Sequence, residues 1–289
     1  MSAFAPRNPA LRLARILPVG GNWFDALVIA MVILLALTAL FGEFIAPYDP
    51  YAVQLAQAAQ PPDRAHWLGT DENGRDILSR LLAGARSTIL SAVLIGVAAA
   101  AIGVMLAAVA AMLGGWVDEF IMRICDIMLA IPPLVLALGI AMALGPSLQS
   151  AIVALIAALW PGTTRIVRGV MRKTMAESYV EASRSLGASR FRTMTRHVIP
   201  NSLDVALVHT AFEIGGTILI LAGLSFVGVG AQPPSAEWGA MAAAGRNYAL
   251  TSWWITLAPG MAITCVVVTF GLFGEVLQAR FSPSQRKNP

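Results

Sequence analysis

The chain is 289 residues long, 57% hydrophobic and 12% charged, with a formal charge of +4 at pH 7. Soluble domains carry roughly 25% charged residues, so this composition excludes an ordinary water-soluble globule and indicates an all-α integral membrane protein. The basic residues cluster beside apolar runs, which argues for membrane topology and against a nucleic-acid partner.

Residues 1–25 form a tail with Arg7, Arg12 and Arg15, followed by an apolar run over residues 26–45. A cleaved signal peptide competes with an uncleaved first transmembrane helix here. The run exceeds a signal core of about 7–15 residues, which favours the helix. Residues 46–87 are polar, and Pro47, Pro50, Pro61 and Pro62 exclude a continuous helix at the start. Further on, Ile77, Leu78, Leu81 and Leu82 recur at helical spacing among Arg75, Asp76, Arg80 and Arg86. That pattern predicts a short amphipathic helix at the membrane surface.

Residues 88–277 read as a core with five further spans. Residues 88–113 carry no charge, and Gly96 and Gly103 lie about two turns apart, suited to close helix packing. A turn over 116–119 leads to a third span, 121–144, which Pro132 and Pro133 should kink. The fourth span follows over 148–164, the fifth over 201–227, and the sixth runs from the Trp253 and Trp254 interfacial pair to about residue 277. Residues 278–289 form a basic tail with Arg280, Arg286 and Lys287. Cys125 and Cys265 sit in apolar stretches and read as buried thiols with no disulfide or metal role. No nucleotide-binding or metalloprotease motif occurs, so neither catalysis nor a bound cofactor is expected in this chain.

Between the fourth and fifth spans, residues 165–200 hold eight of the twenty Lys and Arg residues against two acids, Glu177 and Glu181. With six spans and both termini in the cytoplasm, fifteen basic residues fall on the cytoplasmic side and five outside, as the positive-inside rule requires. Attraction to anionic lipid would need these charges alone. The segment also has internal order: a helical pattern with Met175, Tyr179, Ala182 and Leu186 on one face, a break at Gly187, then a second amphipathic stretch from Phe191 into Ile199 and Pro200. A helix–glycine–helix elbow of this kind suits docking into a partner's groove.

Within the spans, ionisable residues are costly and mark candidate functional positions. His209 and Glu213 share a helix face one turn apart. They line a pathway or make an interhelical hydrogen bond, and two residues alone do not make a metal site. Asp126 is three residues from Arg123 and reads as its ion-pair partner; Asp204 reads as interfacial.

The elbow resembles the E-A-A…G…I-x-L-P signature of inner-membrane permease subunits of bacterial ABC importers. Glu181, Ala182 and Ser183 are followed by Gly187 and then by His197, Val198, Ile199 and Pro200. Ser183, His197 and Ile199 depart from the usual residues. Residues 66–88, 114–134 and 224–241 narrow the likeness to permeases of the dipeptide, oligopeptide and nickel group. That resemblance implies a type I ABC importer fold with a cytoplasmic coupling helix in an inner-membrane protein. It also implies a second homologous permease, two ATP-binding subunits that hold the ATP and Mg, and an extracytoplasmic solute-binding protein. Tyr179, Glu181, Ala182, Ser183, Arg184, Gly187, Ala188 and Pro200 would then face or shape the ATPase contact. The outer loops offer Asp71, Glu72, Arg75, Asp76, Gln232, Glu237 and Trp238 for binding-protein contact; equally, these residues cap helices or pack on the second permease. Short peptides are the first expectation for the solute, with glutathione and nickel as alternatives. An ion-coupled transporter would leave the elbow unexplained, and a membrane enzyme lacks a nucleophile–base pair.

Overall fold

Backbone polar groups can enter lipid only when their hydrogen bonds close within helices or barrels, and this chain takes the helical solution. The computed structural model describes residues 23–281, which contain helices, loops and one isolated bridge between Thr70 and Asp76. Arg7, Arg12, Arg15, Arg286 and Lys287 of the basic tails lie outside the described residues. Five helices are long and apolar enough to cross a membrane, and a pair bent by 89° brings the number to six when taken as one broken span.

Helix α1, Trp23–Phe41, has 19 residues and reaches about 28 Å, close to the thickness of a hydrocarbon core. Helix α2, Ile77–Leu113, is one unbroken helix of 37 residues. The expected surface helix over residues 76–87 is therefore the first part of the second span. Nothing from Ile77 to Leu113 breaks a helix, and Ser87 satisfies its hydroxyl by donating to the Gly84 carbonyl at 3.0 Å. At about 55 Å α2 is longer than the bilayer core, so its charged start stands beyond the lipid.

Gly114 and Gly115, both at positive φ, reverse the chain into α3, Gly115–Leu129, which leaves no separate turn before the third span. Helix α4, Pro133–Leu144, follows at 89° to α3. The two prolines thus break the third span outright, because neither can donate the hydrogen bond that would carry the helix on. Helix α5, Leu148–Met175, continues eleven residues past the expected end. Its charges are matched by acids on α3: Arg168 forks onto Asp118, Arg172 approaches Asp118 at 3.4 Å, and Arg165 pairs with Asp126. Arg123 instead reaches Glu119, at 3.8 Å, so the expected Arg123–Asp126 pair is replaced by the α5–α3 brace.

After α6, Ser178–Ser185, the chain enters α7, Arg190–Phe226, which includes one π-turn over Met194–Val198. A loop then leads to α8, Trp238–Gly245, and α9, Trp254–Phe281. Helix α2 packs mainly on α5 and α7. A Cβ added at Gly103 would lie 2.7 Å from Thr163 Cβ, and one at Gly96 would lie 2.7 Å from Ile214 Cγ1. The small residues therefore set how closely these spans approach, as expected. Buried clusters stack from Ile77, Ile218 and Ile255, through Ile95, Leu155 and Leu221, to Val167, Met171 and Val198. Cys125 is buried in a further cluster, whereas Cys265 faces outward from α9, contrary to expectation.

Asp25 at the start of α1 meets Arg280 at the end of α9 at 3.6 Å. The two ends of the described chain therefore share one face, and the elbow between α5 and α7 lies on it. The loops that precede α2 and α8 share the opposite face.

Candidate functional site

The elbow is built by local rules. Helix α6 closes with a Schellman motif: Ala188 N–H donates to the Ser183 carbonyl at 3.1 Å and Gly187 N–H to that of Arg184 at 2.9 Å. The motif needs a left-handed residue, and Gly187 has φ +87°. A Cβ there would meet nothing within 4 Å, so the glycine serves the turn and not a close approach within the chain. Ser189 then caps the next helix by accepting from Arg192 N at 3.2 Å.

One face of α6 is fastened to α7. The Tyr179 ring stands edge-on to His197 with centroids 6.1 Å apart, and Asn201 Nδ2 donates to the Tyr179 hydroxyl at 3.2 Å and to the His197 carbonyl at 2.6 Å. Burial, with the Glu177 carboxylate nearby, raises the Tyr179 pKa. Ser183 Oγ lies 3.5 Å from His197 Nε2. Two of the three departures from the signature thus face one another.

The other face is open. Glu181, Ala182, Arg184 and Gly187 are exposed, and Leu186 and Phe191 are 89% and 69% exposed on either side of the glycine. The helical pattern placed Ala182 and Leu186 with Tyr179 on one face; the structure separates them, with Tyr179 turned onto α7 and Ala182 and Leu186 exposed. Arg184, Arg190, Arg192 and Arg196, near these two residues in the chain, are exposed as well. Leu186 and Phe191 both belong to the amphipathic elbow pattern, but their exposure is not legible there, because an apolar residue at helical spacing ordinarily signals burial.

The opposite face reverses this arrangement. Asp71 Oδ2 accepts from Arg75 Nε at 2.6 Å and lies 3.4 Å from Arg80 Nε, and Glu72 Oε1 accepts from Arg75 Nη2 at 3.1 Å. Asp76 caps α2 by accepting from Ser79 N at 2.8 Å, and it also pairs with His66 Nδ1 at 2.9 Å. Arg80, which the sequence pattern set at the membrane surface, is 3% exposed. It donates to the Pro50 carbonyl at 3.0 Å and to the Ser235 carbonyl at 3.1 Å, tying the two loops together.

Glu237 is wholly buried and caps α8 through Gly239 N at 3.0 Å and Ala240 N at 2.9 Å. Burial pushes its carboxyl up, and those two N–H groups pull it part of the way back. Trp238 donates from Nε1 to the Leu81 carbonyl at 3.0 Å. Of the seven candidates for binding-protein contact, Asp71, Arg75, Asp76, Glu237 and Trp238 are therefore buried scaffold. Glu72 is partly covered, and Gln232 is exposed. A contact surface on this face has to come from residues that do lie outside, such as Leu55, Trp67 and Leu250.

Between the faces, α5, α7 and α9 line an open-sided pocket of about 540 Å³. His209 and Glu213 both line it, together with Asp204, Thr217 and Gln278. Thr217, one further turn along α7, was not singled out from sequence, although its i+4 spacing from Glu213 was the available signal. No group of three or more His, Cys, Asp or Glu residues able to hold a metal occurs among the described residues.

Residues 99–287 match the family model described as binding-protein-dependent transport system inner membrane component. A probable D,D-dipeptide transport system permease protein of Escherichia coli K12 is 43% identical over 253 residues, covering 88% of this chain and 85% of that protein. The dipeptide transport system permease protein of the same strain is 40% identical over 263 residues, covering 89% of this chain and 87% of that one. A glutathione transport system permease protein of E. coli O6:K15:H31 is 37% identical over 253 residues, covering 87% of this chain and 84% of that one.

Proposed function

The chain belongs to the binding-protein-dependent transport system inner membrane components, and from that premise we propose that it is the permease subunit of an ATP-driven importer of short peptides. It is a pathway subunit. A second, related permease completes the pathway, two partner subunits bind and hydrolyse ATP with Mg, and a solute-binding protein delivers the peptide. The elbow face lies in the cytoplasm with both termini, in accord with the distribution of positive charge and with the Asp25–Arg280 contact. The loops before α2 and α8 lie outside.

One observation carries the reading. The elbow is fastened on one side and open on the other, and it is continuous with two spans. A push on Leu186 and Phe191 passes through the Tyr179–His197–Asn201 contacts into α7 and through the Asp118–Arg168 brace between α5 and α3. Glu181, Arg184 and the other elbow arginines supply the charged rim that gives such a contact its orientation. Peptide as the solute is supported by relatives named for dipeptide transport. Glutathione, itself a small peptide, is the second reading and is favoured by a third relative.

The test is the complete importer in proteoliposomes. Gly187→Val forces a β-branched residue to positive φ, at about 1–3 kcal/mol, and Glu181→Lys reverses a rim charge. Both variants are expected to remain in the membrane, to lose peptide uptake, and to lose stimulation of ATP hydrolysis by loaded binding protein. Uptake by both at the normal rate would remove the coupling role.

A further inference from the structure

The third span is not one helix. Helices α3 and α4 meet at 89°, and every residue from Leu129 to Val135 is exposed. The break is deep in the bundle. Ile121 and Cys125 of α3 pack against Ala110 of α2, so α3 runs back from the Gly114–Gly115 reversal alongside α2. Its 15 residues cover about 22 Å. Helix α4 then joins the middle of the three stacked clusters through Ala137 and Ala141.

Lipid does not tolerate bent, exposed backbone at that depth; such segments occur where protein covers them or where they line water. Pro133 has no N–H to give the Leu129 carbonyl four residues back, and a neighbouring helix has already used its own backbone donors. Water and the amide N–H groups of a peptide are donors still free. A second feature that lipid excludes adjoins the break. The pocket between α5, α7 and α9 presents Asp204, His209 and Gln278, all with accessible surface, within or near the end of apolar spans. Its α7 wall runs through Gly216 and Ile220, and Gly223, three residues on, lies on the same side of the helix. A Cβ on Gly223 would stand 3.7 Å from Leu134 Cδ1. Leu134 of the break thus sits one turn beyond the pocket, and the two form one tract along α7.

We propose that this tract, from the pocket to the Leu129–Val135 break, is this chain's share of the solute pathway, and that Ile131 and Leu134 face the passing solute at the break. This rests on the peptide-import reading above. The pocket, at about 540 Å³, falls within the usual range of small-molecule sites, about 300–1,000 Å³. A Cβ on Gly216 would meet nothing within 4 Å, so packing within the chain does not require that glycine, and its lack of a side chain keeps the α7 wall open.

The experiment uses the complete importer in proteoliposomes, in a Cys125→Ala, Cys265→Ala background, with radiolabelled alanyl-alanine and a small anionic thiol reagent that does not cross lipid. Ile131→Cys and Leu134→Cys, at residues 38% and 44% exposed, are compared with Leu34→Cys on α1, at a residue 63% exposed. Both break cysteines should react at least about tenfold faster than the α1 cysteine, because the reactive thiolate forms only where water solvates it. Their modification should abolish uptake while the second permease and the ATP-binding subunits stay bound. If they react no faster than Leu34→Cys, the break is covered by the second permease or by lipid, and the proposal is overturned. If they react fast and uptake is unchanged, water reaches the break but solute does not, and the pathway assignment falls. Should either substitution by itself stop import, Val135→Cys, at a residue 56% exposed, takes its place. A failure of the peptide reading looks different: the unsubstituted background would import no alanyl-alanine, while the labelling rates would still decide whether the break lies in water.

Discussion

At the loop face the charged side chains are inside, and at the elbow face large apolar side chains are outside. Arg80 is 3% exposed and bridges two loops far apart in the chain. Leu186 is 89% exposed and touches nothing that would hide it from water. A buried charge is tolerable only when its hydrogen bonds are satisfied, so the loop face is a finished structure that supports itself. An exposed apolar tip gains by being covered, which the proposed ATPase contact would do. On the proposed function, the same chain carries a scaffold on one side and a coupling surface on the other. The two should respond to mutation in opposite ways.

The largest effect is expected at the scaffold. Arg80→Ala removes both loop-to-loop hydrogen bonds and one of the cations facing Asp71, at about 2–4 kcal/mol. The thermal midpoint of the detergent-solubilised chain should fall, and binding of the ATPase subunits by the chain that remains folded should not change. A wild-type midpoint would mean that the loop face is not the self-supporting layer its contacts suggest.

The reverse is expected at the elbow tip. Leu186→Ala with Phe191→Ala should leave the midpoint within about 0.5 kcal/mol of the parent, as surface changes usually do. Each truncation should weaken ATPase binding by about 1–2 kcal/mol, in the range of an interface anchor. Co-purification of the ATPase subunits and titration in detergent read this directly. If the pair destabilises the chain and leaves ATPase binding intact, the tip packs on lipid or on the chain itself, and the contrast between the faces disappears.

How much of this was legible in the sequence follows the same division. The apolar runs gave the crossings, and the glycine at residue 187 gave the elbow, because both signals are local. Span ends were less legible. Helix α5 runs on through Arg165, Arg168 and Arg172 because Asp118 and Asp126 approach from α3, some forty to fifty residues away in the chain. The seven outer-loop candidates read equally as a contact surface or as helix caps and packing, because a charge in a loop normally meets water and the sequence does not show what covers it. Burial of Arg80 depends on the Ser235 carbonyl, 155 residues later, which no local pattern announces.

The smallest effect tests the fastened side of the elbow. Ser183 and His197 both depart from the permease signature, and they meet at 3.5 Å, the outer limit of a hydrogen bond. Ser183→Ala should cost about 0.5 kcal/mol or less, the value of a poor neutral hydrogen bond. His197→Ile loses the edge-on contact with Tyr179, about 0.5–1.5 kcal/mol before isoleucine recovers part of it by packing. The Asn201 bonds to the Tyr179 hydroxyl and the His197 carbonyl use neither altered side chain, so α6 should stay attached to α7 in the double variant. A double-mutant cycle on the thermal midpoint should therefore give a coupling of about 0.5 kcal/mol or less. A coupling several times larger would make this seam a cross-link of the kind that Arg80 provides on the other face. The elbow would then owe its stiffness to one polar pair and not to the aromatic contact and the two Asn201 bonds that flank it.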